Sequence, residues 1–250
     1  MHYLNCRNLL AVFTLSSVLT SCFVVPKTLP KRQILWDIVS NRCETSRDDT
    51  HACLVVNRPS GYVVLRDRHG PVQTLIIPTA KITGIEDSQL LQPTAKNYFN
   101  DAWVQRHILD TQNKKAIEPR YLSFSVNSAY GRTQDQLHIH SSCLSKAVYV
   151  QLEHERPSIT THWQALPNKI LGHTYLAKKI TLAELNTTSP FHILSDYLQK
   201  TKAGHMAEYG LAMVSATDTD MILLATKLDL TEKNLGSIEE IQDTFCQVTQ

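Results

Sequence analysis

The sequence has almost no surplus of charge, because 25 lysines and arginines face 23 aspartates and glutamates and leave a formal net charge of +2. Proteins that bind nucleic acids concentrate basic side chains on one face, and no basic tract of that kind occurs here. Also absent are a Cys-x-x-Cys pair and a Gly-x-Ser-x-Gly sequence. The first absence argues against a structural zinc site, and the second against a serine hydrolase with a nucleophile elbow.

The first 26 residues are predicted to be a signal peptide or a membrane anchor. Residues 9–25 carry no charged side chain, and one arginine, Arg7, precedes them. This run is short for a membrane span, which needs about 20 residues, but is typical of a secretory signal. Residues 19–22, Leu-Thr-Ser-Cys, are similar to the bacterial lipobox, in which the cysteine, here Cys22, is lipidated. An uncleaved signal anchor is the alternative. The lipidated signal peptide and the uncleaved anchor both predict that residues 27–250 form a domain held at the bacterial inner membrane and facing the periplasm.

Four cysteines follow the signal region: Cys43, Cys53, Cys143 and Cys246. An even number of cysteines in an exported domain predicts two disulfides. Cys43 with Cys53 would close a short loop, and Cys143 with Cys246 would tie the predicted active-site strand to a C-terminal helix. Four buried free thiols are the alternative.

Hydrophobic patterns predict three pairs of strands and several helices. The strands cover residues 62–65 and 73–77, 121–127 and 136–143, and 209–215 and 221–225. The clearest helix is predicted over residues 95–112, with Thr94 as its cap. Shorter helices are predicted over residues 33–40, 181–185, 190–200 and 237–245. The mixture indicates one α+β domain, an antiparallel sheet with its helices segregated to one side.

Two histidines carry the strongest chemical signal. Alternate side chains of a strand point to the same face, so His138 and His140 project together and Ser142 continues that face. A neutral imidazole can attack phosphorus through one nitrogen while a hydrogen bond at the other nitrogen fixes the tautomer. The pair also suits a metal ion, but no acid or cysteine joins it on this face, so the remaining ligands would come from elsewhere.

The turn before this strand supplies neutral hydrogen-bond donors. Asn127 and Gln134 lie on either side of Gly131, and amide groups at such a turn can hold phosphate oxygens without arginine. The pattern Val126-Asn127, Gly131, Gln134 and then Leu-His-Ile-His at residues 137–140 resembles the histidine-triad (HIT-like) superfamily of nucleotide hydrolases and transferases.

Within that superfamily, the chain most resembles the bacterial CDP-diacylglycerol pyrophosphatase family. The resemblance extends from about residue 40 to the C-terminus, and its supporting phrases are residues 61–65, 131–134, 138–140, 210–214 and 239–243. It implies a HIT-like fold and the hydrolysis of CDP-diacylglycerol, a lipid of the bilayer, to CMP and phosphatidate. Such sites need no obligatory metal or other cofactor, and the oligomeric state stays open.

The resemblance also implies roles for individual residues. His140 matches the nucleophile that accepts the cytidylyl group, and His138 matches the first histidine of the triad, which orients the site. Ser142 stands where the third histidine would be, and its role is open. Asn127 and Gln134 match positions that orient phosphate and the site. Asp67 is implied to contact the ribose.

Two further functions remain open on the sequence. The same fold could act on soluble nucleotide anhydrides, such as dinucleoside polyphosphates or nucleotide sugars. Alternatively, the chain could be an envelope lipoprotein without enzymatic activity that binds a nucleotide, a metal or another protein, with no nucleic acid among the expected partners.

Overall fold

The computed structural model describes residues 31–45, 52–217 and 219–250. The predicted signal or anchor over residues 1–26 and the lipidation candidate Cys22 lie outside these ranges. No helix within the described ranges is both long enough and apolar enough to cross a membrane.

Within the described residues, ten strands form one sheet in which all neighbouring strands are antiparallel. The strands are β1 (Cys53–Asn57), β2 (Tyr62–Arg66), β3 (Thr74–Pro78), β4 (Leu122–Val126), β5 (Ile139–Leu144), β6 (Gln164–Ala165), β7 (Tyr175–Thr181), β8 (Tyr209–Ser215), β9 (Asp220–Lys227) and β10 (Gln242–Asp243). Their order in the sheet is β1-β2-β3-β5-β4-β8-β9-β7-β6, and β10 pairs with the end of β5, on the side of β5 that also pairs with β3.

The helices lie on both faces of this sheet. They are α1 (Ile34–Ile38), α2 (Tyr98–Val104), α3 (Ile108–Asn113), α4 (Lys146–Glu155), α5 (Leu182–Thr187) and α6 (Pro190–Thr201). Apolar residues of α2, α3, α5 and α6 share one cluster with inward-facing strand residues, and we call this side the helical face. The other side, the cavity face, is covered at one end by the α1 segment and at the other by α4. The α+β antiparallel fold is thus confirmed, but the prediction that all helices lie on one side is wrong.

The uncovered middle of the cavity face lies at the predicted catalytic strand. His140 pairs with Leu75, a member of the cluster beneath α1, and therefore points to the same side of the sheet. Ile238 and Ile241 belong to the cluster beneath α4 and occupy a 3-10 turn, Ile238–Ile241, that approaches His140 from the other end. The space between the two clusters is left for a binding site.

The predicted helix over residues 95–112 is present but interrupted. Asn97, rather than Thr94, caps α2, because its side-chain oxygen accepts from the main-chain N–H of Asn100 at 3.3 Å. A 3-10 turn, Gln105–His107, then separates α2 from α3. The apolar face is nevertheless buried as predicted, with Phe99 and Leu109 fully enclosed.

The predicted C-terminal helix over residues 237–245 is wrong. Only one 3-10 turn forms, and the chain then extends into β10, where Asp243 pairs with Cys143. Ile238 and Ile241 are both fully buried. A three-residue spacing is compatible with a single turn, and pairing with the end of β5 that β3 does not reach then outweighs helix propensity. The strands β1, β6 and β7 and the helix α4 had no sequence prediction.

Candidate active site

A cavity of about 390 Å³ opens on the cavity face, and both predicted histidines line it. The rings of His138 and His140 lie side by side, as strand periodicity predicts, with centroids 4.8 Å apart and planes at 64°. His138 immediately precedes β5 and His140 is its second residue. The other lining residues are Asp67, His69, Gln73, Asn127, Gly131, Thr133, Glu239, Gln242 and Thr244.

His138 is held as a neutral imidazole. Its Nδ1 lies 2.7 Å from the main-chain oxygen of Gln136, so Nδ1–H donates to that carbonyl and Nε2 keeps its lone pair. Burial, followed by the charge of the neighbouring His140, lowers the pKa of His138 to about 4. At neutral pH this ring therefore adds no positive charge beside His140.

His140 has polar neighbours at both ring nitrogens. Its Nδ1 lies 3.0 Å from Nε2 of Gln73 and 4.0 Å from a carboxylate oxygen of Asp67. Its Nε2 lies 2.8 Å from a carboxylate oxygen of Glu239. This last contact is close but is not aligned with the ring N–H, so Nε2 has no well-formed hydrogen bond. Nε2 is therefore the ring nitrogen that can exchange its present neighbour for a ligand.

Glu239 reaches His140 from the turn after β9. Its main-chain N–H donates to the side-chain oxygen of Asn127 at 3.2 Å. Burial opposes ionisation of the carboxyl group, but the charge and close contact of His140, the charge that His138 gains at low pH and the hydrogen bond from Asn127 outweigh it and lower the pKa to about 2. Glu239 is thus an anion facing the imidazole.

Two of the predicted binding residues reach the cavity. Asn127 lines it while fixing the main chain of Glu239. Asp67 also lines it, with one oxygen accepting from the main-chain N–H of His69 at 2.9 Å. The implied contact of Asp67 with ribose stays a prediction, as does the implied phosphate contact of Asn127.

Two other predicted binding residues do not reach the cavity. The side-chain oxygen of Gln134 accepts from the main-chain N–H of Leu35 at 3.2 Å, and its amide nitrogen donates to the carbonyl of Lys31 at 2.9 Å. Ser142 is fully buried, and its hydroxyl donates to the carbonyl of Val72 at 2.7 Å. Both side chains join segments of backbone instead of presenting groups to a ligand.

Sequence reasoning overlooked six side chains that line the cavity: His69, Gln73, Thr133, Glu239, Gln242 and Thr244. Gln73 immediately precedes β3, whereas Glu239 and Gln242 come from the C-terminal segment that was predicted to be helical. The amide nitrogen of Gln242 donates to the main-chain oxygen of His140 at 3.0 Å. Two signals in the sequence pointed to this segment: the phrase at residues 239–243, which supported the family resemblance, and the predicted disulfide between Cys143 and Cys246.

Both predicted disulfides are present. Cys43 pairs with Cys53 across 10 residues, and Cys143 pairs with Cys246 across 103 residues. The second disulfide fastens β5 to the C-terminal segment just beyond β10, although that segment is not the predicted helix. The disulfide therefore joins the strand that carries His140 to the segment that carries Glu239.

Among the described residues, no group of three or more histidine, cysteine, aspartate or glutamate side chains is placed to hold a metal ion. The site offers one imidazole nitrogen beside the carboxylate of Glu239, in a cavity that also presents the carboxylate of Asp67, three side-chain amides and two threonine hydroxyls. Such a site suits transfer of a phosphorus group to nitrogen.

Comparison with known proteins identifies the family. The family model described as CDP-diacylglycerol pyrophosphatase matches residues 30–250. A CDP-diacylglycerol pyrophosphatase from Yersinia pestis is 40% identical over 245 residues, which cover 97% of this chain and 95% of that protein. A crystal structure of a DUF4931 family protein from Bacillus cereus has 12% identity and a TM-score of 0.42, covering 70% of this chain and 84% of that one. On the family and relative matches, which extend over nearly the whole sequence, the chain belongs to the CDP-diacylglycerol pyrophosphatase family.

Proposed function

We propose that this chain hydrolyses the phosphoanhydride bond of CDP-diacylglycerol and releases CMP and phosphatidate, with His140 as the nucleophile. One observation supports this mechanism above the others: His140 lines the cavity, and its Nε2 lacks an aligned hydrogen bond. In the first step Nε2 attacks the phosphorus of the cytidylyl group. The phosphoanhydride bond breaks, and phosphatidate leaves with the bonding electrons.

The attack needs the tautomer of His140 whose proton is on Nδ1. As placed, the amide nitrogen of Gln73 faces Nδ1, and its carbonyl oxygen is buried without a hydrogen-bond partner. Turning this amide by 180° lets that oxygen accept from Nδ1–H, which leaves the Nε2 lone pair for phosphorus and satisfies the buried oxygen. Gln73 is therefore the residue that sets the tautomer.

Neutral groups receive the diphosphate. Among the described residues lining the cavity, none is a lysine or an arginine, and Asn127 and Thr133 supply an amide and a hydroxyl. The neutral state of His138 matters for the same step, because a charged ring 4.8 Å away would oppose the positive charge that forms on His140. Asp67, near the Nδ1 side of His140, is proposed to bind the ribose.

The experiment is a quenched-flow assay with CDP-diacylglycerol labelled in the cytidylyl group. His140→Ala is expected to lower CMP release at least about 1,000-fold and to leave no label on the protein. His162→Ala, an exposed histidine, is the matched control and is expected to retain full activity. Full activity in His140→Ala would rule out this nucleophile. A parallel rate on dinucleoside polyphosphates tests whether the substrate is instead a soluble anhydride.

We also propose that the cavity faces a bilayer, with the domain at the periplasmic side of the inner membrane. The start of the described chain lies against a cavity loop: Arg32 contacts the carboxylate of Asp135 at 2.8 Å, two residues after the lining residue Thr133. Residues 26–30 lie between this point and the uncharged run over residues 9–25, and five residues span at most about 18 Å. Both disulfides suit the oxidising periplasm.

Exposed apolar side chains near the cavity support this orientation. Tyr130 is 56% exposed and precedes the lining residue Gly131, and Phe245 is 60% exposed and follows the lining residue Thr244. Large apolar groups exposed beside a site whose substrate is a lipid are suited to entering the membrane interface.

This orientation is tested with the reconstituted full chain. A Tyr130→Ser/Phe245→Ser double variant is expected to act about 10-fold more slowly on CDP-diacylglycerol in phosphatidylglycerol-containing vesicles, and at an unchanged rate on a water-soluble CDP ester. Val104→Ser is the control, since Val104 is 56% exposed on α2 at the helical face. An equal loss on both substrates would contradict the proposed membrane contact.

A further inference from the structure

The carboxylate of Glu239 occupies the position that the substrate must take. It lies 2.8 Å from His140 Nε2, the atom that attacks phosphorus in the proposed mechanism. Two anions cannot share that space, so the binding of a diphosphate moves the carboxylate away. The Glu239 side chain is 42% exposed, whereas that of His140 is 10% exposed, so the glutamate is the partner that can move.

The backbone beneath Glu239 is fixed on several sides. Asn127 holds its N–H, and the neighbouring Glu240 points away from the cavity, where His173 and Tyr175 each contact its carboxylate at 2.7 Å. The motion is therefore confined to the side chain of Glu239. When its carboxylate leaves Nε2 of His140, the length of this side chain limits how far it can move, so it remains near His140.

We propose that Glu239 is the general base of the second half-reaction, in which water removes CMP from His140. This proposal rests on the proposed nucleophilic role of His140. The water oxygen bonds to phosphorus, and the bond between phosphorus and Nε2 breaks with its electron pair returning to the imidazole. The water proton passes to the Glu239 carboxylate and then to solvent, and CMP departs.

The other titratable groups around His140 are less suited to this task. Asp67 faces Nδ1, which is the opposite ring nitrogen, at 4.0 Å. His138 is buried and its ring is fixed by the hydrogen bond from Nδ1–H to a main-chain carbonyl, so it cannot follow the phosphorus group as the Glu239 side chain can. Among the described residues, Glu239 is the carboxylate in contact with Nε2, so it lies on the side at which phosphorus binds.

The charge of Glu239 changes in the sense that the reaction requires. In the free enzyme, burial opposes ionisation, but His140 outweighs it and the pKa is lowered to about 2, so the group binds no proton at neutral pH. A phosphoryl group on Nε2 adds negative charge nearby and raises the affinity of the carboxylate for a proton. The base therefore becomes stronger when the covalent intermediate forms.

The test separates the two half-reactions in Glu239→Gln. Quenched-flow measurement with labelled CDP-diacylglycerol is expected to show a burst of phosphatidate, CMP release slowed about 100-fold, and labelled CMP retained on the protein. The burst itself shows that the variant is folded and binds substrate. Glu118→Gln, a carboxylate with 61% side-chain exposure beside Arg120, is the matched control and is expected to release both products at the wild-type rate.

The outcomes distinguish this proposal from the one on which it rests. Equal slowing of phosphatidate and CMP release in Glu239→Gln, without a retained adduct, would overturn the role in the second step. Unchanged CMP release would overturn it as well. An adduct that peptide mapping places on a residue other than His140 would instead overturn the nucleophile assignment.

Discussion

The side-chain amide nitrogen of Gln73 lies 3.0 Å from Nδ1 of His140, the ring nitrogen opposite the one that contacts Glu239. Gln73 immediately precedes β3, and His140 comes from β5, the strand paired with β3. In the proposed mechanism, the tautomer of His140 is therefore set by a residue 67 positions away in the sequence.

Replacing Gln73 tests this control of the tautomer. Gln73→Leu removes the hydrogen-bonding partner of Nδ1 and leaves only the Asp67 carboxylate, 4.0 Å away. We expect kcat to fall about 10- to 100-fold, as when a group that orients a metal-binding histidine is lost. Gln73→Glu supplies an acceptor for Nδ1–H and is expected to retain more activity than Gln73→Leu. Steady-state CMP release measures both. Gln199→Leu, at an exposed position on α6, serves as the control.

The buried His138 predicts a specific dependence of stability on pH. Burial and the charge of His140 lower its pKa to about 4 in the folded protein, below the ordinary value of 6.5. The unfolded chain therefore binds a proton at a higher pH than the folded chain does. The stabilisation is fully present above about pH 6.5 and is lost as the pH falls through about 4. Its full size is on the order of 3 kcal/mol.

This effect is measured by urea unfolding between pH 7 and pH 4, as the difference between the wild-type protein and a His138→Asn variant. His138→Asn is expected to flatten the dependence, and His154→Asn, an exposed histidine on α4, is expected to leave it unchanged. The difference is needed because burial raises the pKa of Asp101 to about 6, and Asp101 therefore changes stability in the opposite sense over part of this range. Equal slopes in His138→Asn and the wild-type protein would contradict the assignment.

The disulfide between Cys143 and Cys246 is expected to affect both stability and activity. Removing it as Cys143→Ala/Cys246→Ala opens a connection across 103 residues, and loop entropy predicts a loss of about 4 to 5 kcal/mol in the free energy of unfolding. We also expect slower CMP release, because the freed segment carries Glu239 and Gln242.

Removal of the other disulfide is the matched comparison. Cys43→Ala/Cys53→Ala opens a span of 10 residues, with an expected loss of about 2 to 3 kcal/mol, and is expected to retain the kcat of the wild-type protein. Guanidinium unfolding and CMP release measure the two effects. Equal kcat in the two double variants would show that the C-terminal segment keeps its place without the covalent tie.

The strand pairs of the sheet could be predicted from the sequence because their signals are local. Strand β8, Tyr209–Ser215, has the predicted bounds, and the alternation at His138 and His140 places both rings in one cavity. The C-terminal segment could not be predicted in this way. Its path is decided by pairing with β5 and by the disulfide to Cys143, and both partners lie about a hundred residues earlier. Glu239 was missed for that reason.

Ser142 illustrates the same limit within the catalytic strand. Strand periodicity places it on the face of the two histidines, and the family resemblance places it where a third histidine would stand. In the structure its hydroxyl donates to the carbonyl of Val72 and is also within 3.3 Å of the carbonyl of Asp243, so it joins the end of β5 to two neighbouring segments.

Losing such a buried donor costs about 1 to 3 kcal/mol. We therefore expect Ser142→Ala to lower the free energy of unfolding by that amount, while kcat for CMP release stays within about threefold of the wild-type value, because the hydroxyl does not line the cavity. Chemical denaturation and steady-state kinetics on the same preparation measure the two quantities. A loss of kcat comparable to that of His140→Ala, with unchanged stability, would instead place this hydroxyl in the reaction.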